Sequence, residues 1–357
     1  MSEISNAFAG EVYIGNLDID DKNYPIKVIL LEQIMPNDLF NSRFIPLLNN
    51  THYVFVGICF YAWFSYFTDI KKEIKKLNPD FNLKNIIFMT NNKGQTEEAI
   101  NIGFDAIFCN HNAFLDEKSF VINNKIEKIY DCVFNGSPEL VKRPYLLKLL
   151  AENCKMAIIQ GYTWDKEYFW DLSQLSTKFI NKFHDISTPE SRLTVPEVID
   201  IYNKSKMGVI TSESEGGSKV SGEYMLCGLP VLSTLCVGGR EVWYNDTNTV
   251  ICEGSSEGVL EGYKQVLDKI DKGIFNSVEI RKGHLKMMGE FRKTFIDKVG
   301  EILALHNVII SDHFKFFEDR FLMARDIILG KNKEGLVFYQ RGICYNEFEK
   351  VVEILNG

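Results

Sequence analysis

Strand-length apolar runs recur at 53–59, 86–90, 105–109, 129–134, 156–160, 206–211, 230–233 and 249–252, and helical patterns such as 94–102, 140–152, 195–205 and 256–269 separate most of them. That alternation is the strongest constraint on the fold. A strand that reads as a continuous apolar run must be covered on both faces, so the pattern calls for parallel sheets with helices packed on either side. At 357 residues the chain has room for two such sheets. The stretch 122–128, NNKIEKI, marks a boundary between them, giving units 1–126 and 127–275 followed by a charged, helical tail over 276–357.

Composition bounds the function classes. An apolar content of 45% with 25% charged residues is that of a folded, water-facing protein rather than a disordered one. The net charge of −8 disfavours general attraction to nucleic acid, so a phosphorylated ligand would need a local pocket of positive charge. Cysteines at 59, 109, 132, 154, 227, 236, 252 and 344 form no C-x-x-C pair and read as buried free thiols of a reducing, cytoplasmic setting. The run Tyr53 to Phe67 falls short of the roughly 20 residues that span a bilayer. A second reading of it, with the DIKKEIKK that follows, is a basic surface touching anionic lipid at the inner membrane face.

The chemistry concentrates in 206–253. Glu215 and Glu223 stand eight positions apart between a strand and a short helical pattern that ends at Gly228-Leu229-Pro230. If the helix starts near Ser218, its unpaired N–H groups face the loop as donors for a diphosphate or a sugar hydroxyl. Gly216 and Gly217 would let a ligand approach closely. Glu223 shares a helix face with Val220, Leu226 and Cys227, so its carboxylate is expected to be desolvated and to need donors such as the vicinal hydroxyls of a ribose. The alternative is a solvated turn for Glu215 and a salt bridge for Glu223.

The order strand, E-G-G-S, helix, E-Y-M-L-C-G-L-P-V-L, strand, V-G-G-R-E resembles the retaining GT-B glycosyltransferases of group 1, the E-x7-E superfamily. The resemblance implies two Rossmann-like doubly wound domains facing a cleft, with the tail crossing back to the N-terminal domain. It implies that Glu215 contacts the donor sugar, that Glu223 holds the nucleotide ribose, and that Gly216, Gly217, Ser218 and the Gly238-Gly239 loop meet sugar and phosphates. Upstream, N-G-S-P-E-L-V-K-R occupies the place of the family's phosphate element, with Gly136 and Lys142 matching and Ser137 standing where the family has arginine. Arg143 is the expected substitute for that charge. The chain also departs from the family at 217–220.

The implied activity is transfer of a sugar from a nucleoside-diphosphate-sugar donor to a glycan, lipid-linked or other hydroxyl acceptor, with retention and without a metal or cofactor. A nucleotide-sugar epimerase and a non-catalytic nucleotide-sugar binding subunit are the alternatives. In the N-terminal unit, His111 in the turn after 105–109 is the candidate contact to a sugar hydroxyl, against a capping or surface role. The other histidines lack metal-ligand spacing, and Asp18-Ile19-Asp20 reads as a turn rather than a metal site.

Overall fold

The computed structural model describes residues 11–19, 22–32, 45–58, 66–160, 170–175, 180–182, 193–307, 328–331, 337–339 and 342–343. The chain divides into two α/β units, one of residues 1–114 with 289–357 and the other of 115–288. Cys59, His184, His313, Cys344 and Asp20 lie outside the described residues.

In the first unit, β1 (Glu11–Ile19) and β2 (Lys22–Glu32) form an antiparallel pair, and β2 continues in parallel into β3 (His52–Gly57), β4 (Ile86–Thr90) and β5 (Asp105–Phe108). Every residue of β3 and β4 is buried, as continuous apolar runs require. Val54 and Val56 join a core with Phe67, Ile70 and Ile74 of α1 (Tyr66–Leu77), in which Phe88 meets Phe67 and Phe104 edge-on at 4.9 and 5.0 Å. Phe55, of opposite pleat, packs on Phe295 at 4.6 Å. The lysines of α1 are engaged within the unit: Lys71 and Lys75 donate to backbone carbonyls, and Lys72 and Lys76 pair with Asp69 and Glu73. Among the described residues no helix is long and apolar enough to cross a membrane.

α2 (Lys93–Ile102) connects β4 to β5, opened by the Asn92 side chain accepting from Gln95 N–H and closed by Gly103 at a φ of 112°. His111 follows β5 in a 3-10 turn and is 0% exposed. An exposed, surface place for it is therefore corrected.

The second unit is a six-stranded, wholly parallel sheet in the order β11-β10-β9-β6-β7-β8. Its strands are β6 (Tyr130–Gly136), β7 (Met156–Gln160), β8 (Ile180–Lys182), β9 (Ser205–Ile210), β10 (Val231–Thr234) and β11 (Thr249–Cys252). The helical pattern over 140–152 resolves into two 3-10 turns and α3 (Lys148–Asn153), because Arg143 adopts a left-handed φ of 48° before Pro144. α4 (Val195–Asn203) begins with a Thr194/Glu197 capping box, α5 is Lys219–Leu226, and α6 is Ser256–Asp271. Cys109, Cys132, Cys154 and Cys227 are free and buried, while Cys236 and Cys252 are partly exposed.

α7 (Ser277–Leu305) is divided between the units at Met288 and Gly289. After a turn at His306 and Asn307, the described residues of the tail are strands rather than helix: β12 (Ile328–Lys331), β13 (Val337–Tyr339) and β14 (Gly342–Ile343), the last pairing with β1. A tail helical throughout is thus corrected.

Gly208 on β9 packs against the ring of Tyr224 from α5, where an added Cβ would stand 2.0 Å from Cδ2. Gly208→Ala is expected to force that ring off its seat and lower stability by about 1–3 kcal/mol, as overpacking does. Chemical denaturation of the two proteins would measure it, and an unchanged midpoint would contradict the close contact.

Candidate functional site

Strand order reverses between β6 and β9, so the crevice past their carboxyl ends is where an open parallel sheet receives a ligand. The loops leaving β6, β9 and β10 are laced together there. Glu213 N–H donates to the Val141 carbonyl, Glu215 N–H to Val237, and Val237 N–H back to Glu213. Thr211 Oγ1 donates to the Lys142 carbonyl at 2.6 Å.

Glu215 is the hub. Its Oε1 accepts from Lys142 Nζ at 2.6 Å and its Oε2 from Arg240 Nη1 at 3.2 Å. The side chain is only 12% exposed and that of Arg240 is wholly buried. Burial opposes ionisation of Glu215, but the charges of Lys142 and Arg240, with hydrogen bonds from Lys142 and Ser212, hold its pKa below the ordinary value. Arg240 Nη2 also donates to Ser233 Oγ and the Thr234 carbonyl, each at 2.9 Å. Two cations face one carboxylate, which leaves a local excess of positive charge in an acidic chain.

Backbone geometry brings Arg240 to this place. Gly238 and Gly239 have φ values of 138° and 123°, and a Cβ on Gly238 would lie 2.2 Å from the Glu215 carbonyl oxygen. Both are therefore required by the fold of the loop. Arg240 stands in the V-G-G-R-E stretch without a role of its own in the sequence; an arginine directly after a Gly-Gly turn that follows a strand is the available signal.

Lys142 ends the 3-10 turn Leu140–Lys142, and the next residue points elsewhere. Arg143 Nε donates to the Thr211 carbonyl at 2.8 Å, and Nη2 donates to Thr234 Oγ1 at 2.8 Å and to the carbonyls of Ser212 and Leu235. The guanidinium expected to replace a phosphate-binding arginine thus ties the β6, β9 and β10 loops together. Gly136 closes β6, where a Cβ would stand 2.9 Å from Phe134 Cζ.

α5 starts as the sequence suggests. Ser218 is its N-cap, accepting from Ser221 N–H, and Gly216, Gly217 and Ser218 are buried immediately before the helix. Glu223 is half-buried, with its Oε2 accepting from Tyr202 Oη at 2.8 Å. Burial raises its pKa above the ordinary value, against the hydrogen bond from Tyr202 and the charge of Lys219. Tyr202 Oη accepts from Asn135 Nδ2 at 2.6 Å, and Asn135 N–H donates to Tyr224 Oη at 2.9 Å. Ser221 Oγ donates to Tyr244 Oη at 3.0 Å. Asn135 opens the N-G-S-P-E-L-V-K-R stretch after a strand, whereas Tyr202 carries no such signal, since a tyrosine within an amphipathic helix reads as core.

Lys142, Glu215 and the glycines of 238 and 239 therefore meet in one constellation of the second unit, and α5 follows Glu215 directly. His111 follows β5 in the first unit and is buried. Among the described residues no three His, Cys, Asp or Glu side chains are grouped to hold a metal ion.

No protein-family profile and no curated protein matches this sequence. Solved structures do share its fold. HepE of Anabaena in complex with UDP superposes with a TM-score of 0.53 at 13% identity, covering 77% of this chain and 78% of that one. A variant of S. aureus TarM in complex with fondaparinux, α-GlcNAc-glycerol and UDP gives 0.51 at 13% identity, covering 73% of this chain and 52% of TarM, so the chain spans about half of that protein's length. A glycosyltransferase from Rickettsia africae gives 0.51 at 13% identity over 71% and 72% of the two chains. The fold is that of the GT-B glycosyltransferases.

Proposed function

We propose that the chain is a glycosyltransferase that moves a sugar from a nucleoside-diphosphate donor to a hydroxyl of a saccharide, lipid-linked or other acceptor, retaining the anomeric configuration and using no metal. The observation that carries this reading is the 2.6 Å contact between Lys142 and Glu215, backed by buried Arg240 at the switch point of the sheet. An ammonium has three N–H donors, so Lys142 keeps two for the donor diphosphate while bonded to Glu215. Each Glu215 oxygen likewise keeps a lone pair for a hydroxyl of the transferred sugar.

The N–H groups at the start of α5, with Gly216, Gly217, Ser218 and the Gly238-Gly239 loop, line the path of sugar and phosphates. Glu223 receives the ribose hydroxyls. In the reaction, the bond from the anomeric carbon to the diphosphate oxygen breaks as the acceptor oxygen bonds to the same face. The acceptor proton passes to a phosphate oxygen of the leaving group, whose growing charge Lys142 stabilises. HepE and TarM are fold neighbours solved with UDP, which makes UDP the first nucleotide to test.

The experiment is a thermal-shift comparison of UDP, GDP and ADP, followed by incubation of the matching sugar nucleotide with an acceptor panel in the presence of chelator. A selective rise in melting temperature and a product with the donor's anomeric configuration by NMR are expected. Donor binding without transfer to any acceptor would identify a binding subunit instead, and interconversion of the donor alone would identify an epimerase.

A further inference from the structure

We propose that Tyr202, oriented by Asn135, is a positioning residue that occupies one oxygen of Glu223 and so presents the other to the vicinal hydroxyls of the nucleotide ribose; this rests on the donor-site reading above. The direction of the hydrogen bonds carries the argument. The Asn135 side-chain nitrogen is a donor only, so at 2.6 Å the Tyr202 hydroxyl must accept from it. A phenol has one proton, and the remaining contact, to Glu223 Oε2 at 2.8 Å, receives it. Oε1 is left for a ligand.

The relay is held on three sides. Asn135 is the next-to-last residue of β6, and its backbone N–H is fixed by Tyr224 Oη, which in turn donates to the Val133 carbonyl at 3.2 Å. Tyr202 is fully buried on α4, its ring edge-on to Tyr224 at 4.8 Å and stacked near Phe120 at 6.3 Å. A carboxylate on a short helix would otherwise sample several rotamers. With one oxygen bonded to a buried phenol, Glu223 has a single orientation in which to meet a diol. The charged and titratable groups acting on Glu223 are Tyr202 from α4 and Lys219 of its own helix, while Tyr224 and Cys227 feel its charge in return.

The test is calorimetric binding of UDP and of its 2′,3′-dideoxy counterpart to the wild-type chain, Tyr202→Phe and Asn135→Asp. Tyr202→Phe keeps the ring and removes only the hydroxyl. Asn135→Asp supplies an acceptor that draws the phenol proton away from Glu223. Both are expected to weaken UDP by about tenfold, the worth of a hydrogen bond to a charged group, and to leave the dideoxy compound's affinity within about twofold. Because the phenol's bond favours ionised Glu223, the acid limb of UDP affinity should move to higher pH in Tyr202→Phe.

Equal loss for the two nucleotides, or an unmoved acid limb, would overturn the positioning role while leaving the donor site standing. If the wild-type chain binds none of UDP, GDP or ADP, the donor-site reading fails and this inference fails with it. Should either variant unfold, the other variant and the wild-type preference for UDP over its dideoxy form decide the matter; no preference refutes it.

Discussion

Glu215→Ala is expected to lower turnover by about a hundredfold or more, a loss typical of groups that act on charge developing in the transition state. The carboxylate joins Lys142 at 2.6 Å to Arg240 at 3.2 Å, and its loss leaves two cations facing each other without it. Lys142 would then be free to collapse onto the donor diphosphate in the ground state. Donor affinity should hold or tighten while kcat falls, which separates a catalytic effect from a failure to bind. Turnover within about threefold of wild type would remove Glu215 from the reaction.

The linkage to pH has a definite sign. The folded-state pKa of Glu215 lies below its ordinary value of 4.5, so its contribution to stability is fully present above that value. That contribution is lost as pH falls through the depressed folded value. Acid should therefore destabilise the wild-type chain more steeply than Glu215→Gln, and matched denaturation curves at neutral and acid pH would measure the difference. Glu223 has the opposite sign: its raised pKa favours the folded state below the ordinary value, a contribution lost as pH rises through the raised one.

Arg240→Met is the second large effect, expected to cost about 3–5 kcal/mol of stability, the penalty of breaking a buried ion pair from one side. The methionine preserves much of the side-chain volume and removes donors to Glu215 Oε2, Ser233 Oγ and the Thr234 carbonyl at once. Arg240→Lys restores the charge but not the planar fork, so it should recover only part of the loss. Combining Arg240→Met with Glu215→Gln should cost less than the two changes summed, because both remove the same contact between the pair. Strict additivity in that cycle would show that the pair does not act as a unit.

The parallel strands were legible because burial on both faces forces continuous apolar runs, and all eight of those runs lie within two residues of observed strands, at 52–57, 86–90, 105–108, 130–136, 156–160, 205–210, 231–234 and 249–252. The hairpin of β1 and β2 was not, since the short apolar run Val28–Leu31 stands in an otherwise irregular pattern over 1–50. In the candidate site, Glu215, Lys142 and the paired glycines stood out by spacing and order. Arg240 and Tyr202 did not, because their roles depend on where a loop turns and which strand end a helix faces. Arg143 shows the converse: its charge suggested a phosphate ligand, yet its left-handed backbone swings the guanidinium onto carbonyls of neighbouring loops.

The phenols around Asn135 and Ser221 give the second unit an alkaline limit. Burial lifts the ionisation of Tyr202, Tyr224 and Tyr244 above the ordinary value of 10.0, and for Tyr202 the negative charge of Glu223 adds to it. Their stabilising contribution is whole below that value and disappears as pH climbs through the raised ones. The hydroxyls that order the carboxyl edge of the sheet are thus also the groups through which strong base would dismantle it.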